Sequence, residues 1–183
     1  MNTHNAVYIA QSLDGYIADK NGGIAWLDSI ANPDGDDMGY YAFFTRIDAL
    51  VMGRVTFETV CGFDCEWPYN KPVFVLSNTL TEIPESHHEK AFLIKGTLAD
   101  ILSQIHQKGY TRLYIDGGKT IQQFLKEDLI DEMIITTFPL LLGEGFPLFG
   151  DLVQPLAFEV QSSQIFLGNL VQTHFIRKNL KTP

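Results

Sequence analysis

Short apolar runs, separated by residues that favour turns, recur along the first two thirds of the chain. Five of these runs have the length and composition of buried strands: residues 6–10, 49–52, 72–76, 92–94 and 113–115. A continuously apolar strand is typical of a sheet that is covered on both faces. We therefore expect the runs to form a buried, mostly parallel sheet.

Helical patterns lie between several of these strands. Ile101, Leu102 and Ile105 recur at helical spacing after Thr97, whose side chain is suited to cap a helix N-terminus. Lys108-Gly109 ends this pattern with the expected basic residue and glycine. Further helices are predicted at residues 40–47, 57–60 and 121–125. Alternating strands and helices predict an α/β fold with parallel crossovers.

The C-terminal third has a different pattern. Residues 133–137 are β-rich, and two further strands, 157–167 and 170–176, are joined near Gly168-Asn169 like a hairpin. These strands are expected to be antiparallel. With 183 residues and no repeat or linker, the chain is expected to form a single domain over residues 1–183.

Charge and composition narrow the classes of function. The chain carries 13 Lys and Arg against 22 Asp and Glu, a net charge of −9, which disfavours binding to nucleic acid or an anionic membrane. Without a leader-like or membrane-spanning apolar stretch, a cytoplasmic protein is expected. Cys61 and Cys65 are too few for a disulfide framework, and adjacent His87 and His88 are interpreted as a solvated loop, so no metal site is expected.

Two strand-to-helix junctions, residues 52–56 and 115–120, combine a glycine, a cation and a hydroxyl. Glycine lets the backbone approach an anion, the first amides of the helix donate to it, and Arg54 or Lys119 supplies positive charge. Neither junction matches the dinucleotide fingerprint or the P-loop, and each junction taken separately is better explained as an ordinary βα turn with a glycine for packing. In an open α/β sheet, however, both junctions would lie at the carboxyl edge where ligands bind.

Several motifs in order resemble one family. They are SLDGYIA at 12–18, MGRVTFE at 52–58, VLSN at 75–78, DGGKTIQQFL at 116–125, LIDEM at 129–133 and PLLLGEG at 139–145. Together they resemble a dihydrofolate reductase-like protein, and they are most similar to the C-terminal reductase domain of the bacterial riboflavin-biosynthesis deaminase/reductase. The resemblance covers residues 6–176. It implies a three-layer α/β/α sandwich with a mixed, mostly parallel sheet and antiparallel C-terminal strands.

The resemblance also implies an NADPH site, with Arg54 on the adenosine 2′-phosphate and the glycine turn around the pyrophosphate. The positions matched to cofactor-binding residues are Ala10, Gly53, Arg54, Thr56, Ser77, Asn78, Gly117, Gly118, Lys119, Thr120 and Ile121. In the family this turn contains a cis Gly-Gly bond. Residues 12–15 would begin a loop that shields hydride transfer from water, and Trp26 would lie near its end.

The acid that binds the pterin in dihydrofolate reductases has no counterpart at its usual position, which falls near Tyr40. Dihydrofolate is therefore a doubtful substrate, and Tyr40 is interpreted as a core-facing aromatic residue. Asp14, at the start of the loop, is the acid best placed to supply a proton; an Asx turn before Gly15 explains it equally well.

The sequence thus predicts an NADPH-dependent reductase that transfers a hydride to a small C=N or C=O substrate, resembling 5-amino-6-(5-phosphoribosylamino)uracil reductase. The alternatives are a weak or true dihydrofolate reductase and a catalytically inactive nucleotide-binding relative. The ribose phosphate of the uracil substrate needs a basic partner, and residues 62–69 offer two acids and no cation. The apolar C-terminal strands offer a sheet edge for a homodimer, as in the riboflavin-related group.

Overall fold

Residues 3–178 are described by the computed structural model, and they contain ten strands and four α-helices. The strands are β1 (His4–Ser12), β2 (Tyr16–Asp19), β3 (Ala49–Gly53), β4 (Val73–Leu76), β5 (Ala91–Ile94), β6 (Arg112–Asp116), β7 (Glu132–Phe138), β8 (Gly145–Pro147), β9 (Phe158–Phe166) and β10 (Leu170–Arg177). The helices are α1 (Tyr40–Thr45), α2 (Arg54–Cys61), α3 (Leu98–Gln107) and α4 (Gly118–Lys126). Two 3-10 turns, Ala25–Ser29 and Glu85–His87, complete the elements.

Eight strands form one sheet in the order β5-β4-β3-β6-β1-β7-β10-β9. The six from β5 to β7 are parallel, and β10 and β9 run antiparallel to them. The remaining strands, β2 and β8, pair with each other in a small antiparallel sheet. The predicted mixed sheet and the antiparallel C-terminal hairpin are therefore confirmed.

Helices cover both faces of the large sheet. Val51 and Ile115 point to the face that is covered by α3 and α4, where Phe124 lies in the same hydrophobic cluster. Met52 and Tyr114 point to the other face, which is covered by α1 and α2. This division into two clusters follows from the alternation of side chains along each strand, and it gives the three-layer sandwich.

Local signals place α3 where the sequence predicts it. Thr97 Oγ1 accepts from the backbone N–H of Asp100 at 3.2 Å, and the Asp100 carboxylate accepts from the N–H of Thr97 at 3.3 Å. This reciprocal capping box satisfies two amides that a helix N-terminus otherwise leaves unpaired. None of the helices within residues 3–178 has the length and apolar character needed to cross a membrane.

A buried carboxylate links three parts of the fold at the amino end of the sheet. Glu132, 1% exposed, forms a two-pronged ion pair with Arg46, and Nε2 of His4 lies 2.7 Å from its Oε2. Nε2 of His174 lies 2.8 Å from Oε1, although not in hydrogen-bonding geometry. Burial alone would raise the pKa of Glu132, but these donors lower it from 4.5 to about 2. The group is therefore an ionised structural anchor, far along the strands from the carboxyl edge.

Candidate active site

Three neighbouring parallel strands end side by side at the carboxyl edge. Leu76 of β4 lies opposite Gly53 of β3, and Met52 of β3 lies opposite Asp116 of β6. The segments that begin at Arg54, Ser77 and Gly117 consequently leave the sheet next to one another. These are the positions at which the sequence predicts cofactor binding, and the structure brings them to one edge.

Two helices begin at this edge with open N-termini. Gly53 is the N-cap of α2 and Gly117 is the N-cap of α4, and neither provides a side-chain hydrogen bond to the helix. The first amides of a helix need partners, and they carry the positive end of the helix dipole. Both helices thus present donors suited to phosphate oxygens.

The two junctions are packed so closely that their glycines are required. Gly117 has a φ of +88°, and a Cβ on it would overlap Thr56 Oγ1. A Cβ on Gly53 would lie 3.1 Å from Thr120 Oγ1. Each glycine therefore faces the threonine of the other junction, and the two junctions pack directly on each other. These packed junctions, with the first turns of α2 and α4, are called the glycine cradle below.

The small sheet closes one side of this cradle. A Cβ on Gly118 would lie 2.9 Å from Ile17 Cδ1 and 3.4 Å from the carbonyl oxygen of Pro147, so β2 and β8 pack directly on the glycine turn. The Gly117-Gly118 bond is trans, like the other peptide bonds of residues 3–178. The cis Gly-Gly bond that the family resemblance implied at this turn is therefore not present in this structure.

Two cations flank the cradle. Arg54 Nη1 donates to both carboxylate oxygens of Glu58, at 2.9 and 2.8 Å, and its side chain is 42% exposed. Nε and Nη2 stay available, because a guanidinium has five N–H donors. Lys119 is exposed in the first turn of α4.

The other predicted cofactor residues differ in their surroundings. Ser77 Oγ accepts from the backbone N–H groups of Thr79 and Leu80, so it stabilises the turn after β4, and Asn78 beside it is exposed. Ala10, half-buried in β1, lies opposite Thr136 of β7.

Ile121 has no exposed surface, because its side chain is part of the core under α4, and its N–H donates to the carbonyl of Gly117. This placement argues against the predicted contact of Ile121 with the cofactor. Thr120 is also buried, and its hydroxyl faces Gly53. Both residues position the turn rather than line its surface.

Beside the cradle lies a group of aromatic side chains on the α1 face. The ring of Tyr40 is 5.3 Å from that of Tyr8 and 5.5 Å from that of Phe44, and Phe44 stacks at 6.2 Å on Tyr69. Tyr40 is half-buried rather than enclosed in the core, so its interpretation as a core residue is only partly right. Tyr8, Tyr40, Phe44 and Tyr69, together with Asp116, are called the aromatic pocket below.

Asp116 is the acid of this pocket, and the sequence analysis did not single it out. It follows Tyr114 by two positions in β6, so both lie on the α1 face of the sheet. Its Oδ1 accepts from the N–H of Gly117 at 2.8 Å. Burial raises the pKa of Asp116 to about 6, which the Gly117 hydrogen bond only partly offsets. The signal in the sequence was a carboxylate at the end of a buried strand, directly before two glycines.

The same carboxylate influences the tyrosines around it. Burial raises the pKa values of Tyr40 and Tyr69 well above 10, and the negative charge of Asp116 adds to both shifts. No hydrogen bond contributes to either shift, so both phenols remain neutral donors. A ligand in the pocket would meet aromatic faces, phenolic hydroxyls and one carboxyl group.

Asp14 has a different environment from the one expected of a proton donor. Its carboxylate accepts from Ser12 Oγ at 2.5 Å, and from the N–H groups of Leu142 and Gly143 at 3.1 and 2.8 Å. These hydrogen bonds, that from Ser12 first, lower the pKa of Asp14. A carboxyl group with a lowered pKa is ionised at neutral pH, which argues against proton donation and favours a role in fixing residues 142–143 next to the end of β1.

Trp26 and the histidine pair are also located. The indole of Trp26 packs edge-on against Phe138, 5.1 Å away, at the carboxyl end of β7. The sequence predicts a solvated loop at the histidine pair, but His87 packs against other side chains. Its ring lies 4.8 Å from the ring of Trp67, and its Nε2 lies 3.8 Å from Cys61 Sγ. Within residues 3–178, no three His, Cys, Asp or Glu side chains are placed to share a metal ion.

An apolar groove lies on the opposite face of the sheet, beside the C-terminal strands. Met133, Ile135, Phe149, Leu152 and Phe175 are among its lining residues, and no charged or acid–base group is. The groove therefore lacks the groups that reduction chemistry requires, and we place the site at the carboxyl edge.

The sheet order, the glycine cradle and the adjoining aromatic pocket define a dihydrofolate reductase-like α/β protein. The dihydrofolate reductase of Enterococcus faecalis, solved in complex with NADP(H), superposes with a TM-score of 0.64 over 96% of this chain and 97% of that one. The two share 16% identity, so this likeness shows the fold alone.

The chain belongs to the RibD C-terminal domain family, which it matches over residues 6–171. A proposed riboflavin biosynthesis protein from Shewanella sp. PV-4 is 57% identical, with a TM-score of 0.94 over 96% of this chain and 99% of that one. The uncharacterised YwjB of Bacillus subtilis is 35% identical over 181 residues, which cover 97% of this chain and 99% of that protein. Membership of this reductase-domain family supports an oxidoreductase.

Proposed function

We propose that this protein is an NADPH-dependent reductase that transfers a hydride to a small C=N or C=O group, in the manner of the pyrimidine reductases. The observation that carries the proposal is the position of the glycine cradle, with its two open helix N-termini, directly beside the aromatic pocket. A ring bound on Tyr40 and a dinucleotide in the cradle would meet near Asp116. Binding both partners in one crevice replaces a bimolecular encounter with a positioned reaction.

The chain's own residues account for cofactor binding. The first amides of α2 and α4 would hold the diphosphate, and Arg54 would place its free Nε and Nη2 on the adenosine 2′-phosphate. Lys119 adds a second positive charge to an edge of an otherwise acidic protein. When bound, NADPH supplies the hydride.

Two acids divide the remaining tasks. Asp14 binds the 142–143 backbone to the start of the loop, which would help to exclude water. Asp116 would supply the proton from its protonated form, which a pKa of about 6 leaves as a minor fraction at neutral pH, while the ionised form that predominates can accept from a ring N–H. We thus propose Asp116, in place of Asp14, as the proton donor.

Cofactor titration tests this proposal. Calorimetry should show NADPH binding to the intact protein, and Arg54→Ala should weaken NADPH about tenfold or more while it changes NADH affinity about twofold or less. Lys108→Ala, which removes an exposed cation at the end of α3, should leave both affinities unchanged. Equal losses of both cofactors in Arg54→Ala would refute the assignment of the 2′-phosphate, and no heat with NADPH would refute the reductase.

A catalytically inactive nucleotide-binding relative remains the second candidate. The absence of a carboxylate at Tyr40 favoured it in the sequence, and Asp116 beside Tyr40 now favours a working reductase. Loss of NADPH absorbance with 5-amino-6-(5-phosphoribosylamino)uracil, its dephosphorylated form or dihydrofolate would support the enzyme. NADPH binding with no turnover of any of the three would favour the inactive relative.

A further inference from the structure

The substrate half of the crevice has a distinctive charge. Asp116, at the end of β6, acts electrostatically on Tyr40 and Tyr69. The Tyr8 hydroxyl lies 3.4 Å from the carbonyl oxygen of Asp37, and the N–H groups of Tyr41 and Gly39 donate to the exposed Asp37 carboxylate and lower its pKa. Burial is the main cause that raises the pKa of the Tyr8 phenol to about 12, and the negative charges of Asp37 and Asp36 add smaller contributions. Negative groups therefore stand on two sides of the aromatic surface.

Cations do not balance these acids. Among residues 3–178, no Lys or Arg forms an ion pair, a hydrogen bond or a stacked contact with Tyr8, Tyr40, Tyr69 or Asp116. Arg54 and Lys119 stand at the cradle, where the proposed cofactor needs them.

Lys71, the lysine next to the aromatic pocket, already donates its hydrogen bonds to backbone carbonyl groups. Lys71 Nζ lies 4.9 Å from the centre of the Phe44 ring and donates to the carbonyl oxygens of Phe44, Thr45 and Ile47. An ammonium group has three N–H donors, and these carbonyls take all of them. Arg46, which also lies near α1, is paired with Glu132. Neither side chain can serve a phosphate without breaking contacts within the fold.

The polar groups that the pocket does offer suit a different ligand. The phenols of Tyr40 and Tyr69 can donate, the second oxygen of Asp116 can accept, and the stacked rings can cover a flat heterocycle. The hydroxyl of Tyr8 is not among the free groups, because it donates to the carbonyl of Met38 at 2.9 Å and accepts from Gln172 Nε2 at 3.1 Å. Tyr8 is thus fixed as part of the pocket wall.

We infer that the substrate is a planar nitrogen heterocycle that is uncharged or cationic and carries no phosphate. This inference rests on the proposed function, and it separates this chain from a reductase of phosphoribosylated uracil. A ring N–H or amino group would donate to Asp116, while a phosphate dianion would have to lie in an acidic pocket without a free cation. Repulsion between like charges in a partly dehydrated site is large enough to decide between the two ligands.

Paired ligands test the inference on the intact protein. Calorimetry would compare 5-amino-6-(5-phosphoribosylamino)uracil with its dephosphorylated ribosylamino form, both with and without saturating NADP+. We expect the dephosphorylated form to bind about tenfold or more tightly. Asp116→Asn should narrow this ratio to about threefold or less, because it removes the charge but keeps the size of the side chain. Asp151→Asn, the same change at an exposed loop position, should leave the ratio unchanged.

A cationic ring provides an independent readout. 2,4-Diaminopyrimidine should bind the wild-type protein, and Asp116→Asn should weaken it about tenfold or more. Equal or tighter binding of the phosphorylated compound, or failure of all three rings to bind, would overturn the inference. NADPH titration of the same samples separates the two proposals: NADPH binding combined with a preference for the phosphorylated ring would overturn the inference alone. Absence of NADPH binding would overturn the proposed function. The ratio of the affinities for the dephosphorylated and the phosphorylated ring, measured without cofactor, would then still test whether the aromatic pocket rejects a phosphate.

Discussion

Replacing Gly117 with alanine tests the close packing on which the cofactor cradle depends. The added Cβ would overlap Thr56 Oγ1, and the residue would have to keep a φ of +88°. Both penalties act on the contact between α2 and α4, so their N-termini would be pushed apart. The variant should therefore lose stability and cofactor affinity together.

The two penalties can be estimated separately. A non-glycine residue at positive φ costs about 1–3 kcal/mol. Inserting a carbon into packed surroundings costs about 1–3 kcal/mol more, so Gly117→Ala should lower the free energy of unfolding by about 2–6 kcal/mol. Gly143→Ala is the control, because Gly143 has a φ of +77° and nothing within 4 Å of the new Cβ. It should show the conformational part alone.

Urea unfolding of a double-mutant cycle measures the overlap. Thr56→Ala removes the hydroxyl, so Gly117→Ala should cost about 1–2 kcal/mol less in that background than in the wild type. NADPH titration of the same four proteins should show the greatest loss in Gly117→Ala. Equal destabilisation by Gly117→Ala and Gly143→Ala, together with no coupling to Thr56, would refute the close-packing argument.

Three further predictions concern the pocket acid, the buried ion pair and the sheet edge. Burial raises the pKa of Asp116 from 3.8 to about 6, so its ionisation costs folding free energy that builds up as the pH rises between these values and stays constant above them. Asp116→Asn should therefore raise the free energy of unfolding by about 1–3 kcal/mol at pH 8 but not at pH 4, and equal gains at both pH values would contradict this. Glu132→Gln should lower the free energy of unfolding by about 3 kcal/mol at neutral pH. Because the pKa of Glu132 is lowered from 4.5 to about 2, the wild type should lose this extra stability as the pH falls from 4.5 to 2. If urea unfolding gave parallel pH profiles for the two proteins, the ion pair of Glu132 and Arg46 would not stabilise the fold. We propose a homodimer through β9, the edge strand of the large sheet, where Ile165 is 68% exposed. Light scattering should give the mass of a dimer for the wild type and for Gln164→Lys, and a lower mass for Ile165→Lys. A monomeric wild type at micromolar concentration would refute the proposal.

Elements with local signals could be predicted from the sequence. The helix α3 has a capping box formed by Thr97 and Asp100 and an apolar stripe at helical spacing. Both signals lie within the helix and the residue before it, so the local sequence is enough to predict α3. The hairpin of β9 and β10 has its turn at Gly168, whose φ of +70° suits glycine. In both cases the residues that determine the element are only a few positions apart.

The composition of the pocket could not be predicted in this way. Asp116, Tyr8 and Tyr40 come from β6, β1 and α1, and they meet only because β6 lies beside β1 and their side chains alternate toward the same face. No short-range pattern contains that strand order. Local sequence patterns point instead to acids in the loops, among them Asp14, whose hydrogen bonds make it a structural acceptor.

Asp116 also explains how a fold that lacks the usual acid on α1 could retain a polar anchor for its substrate. The carboxyl group enters the pocket from the sheet, and Tyr40 takes the place on the helix. Ionised Asp116 is desolvated and has one hydrogen bond, from Gly117, so the free protein gains no stability from it. A ring that donates to the second oxygen would replace the lost hydration, and binding energy would then be concentrated on ligands with an N–H at that position. Destabilisation of the free protein and selectivity for the ligand thus follow from the same half-buried carboxylate, that of Asp116.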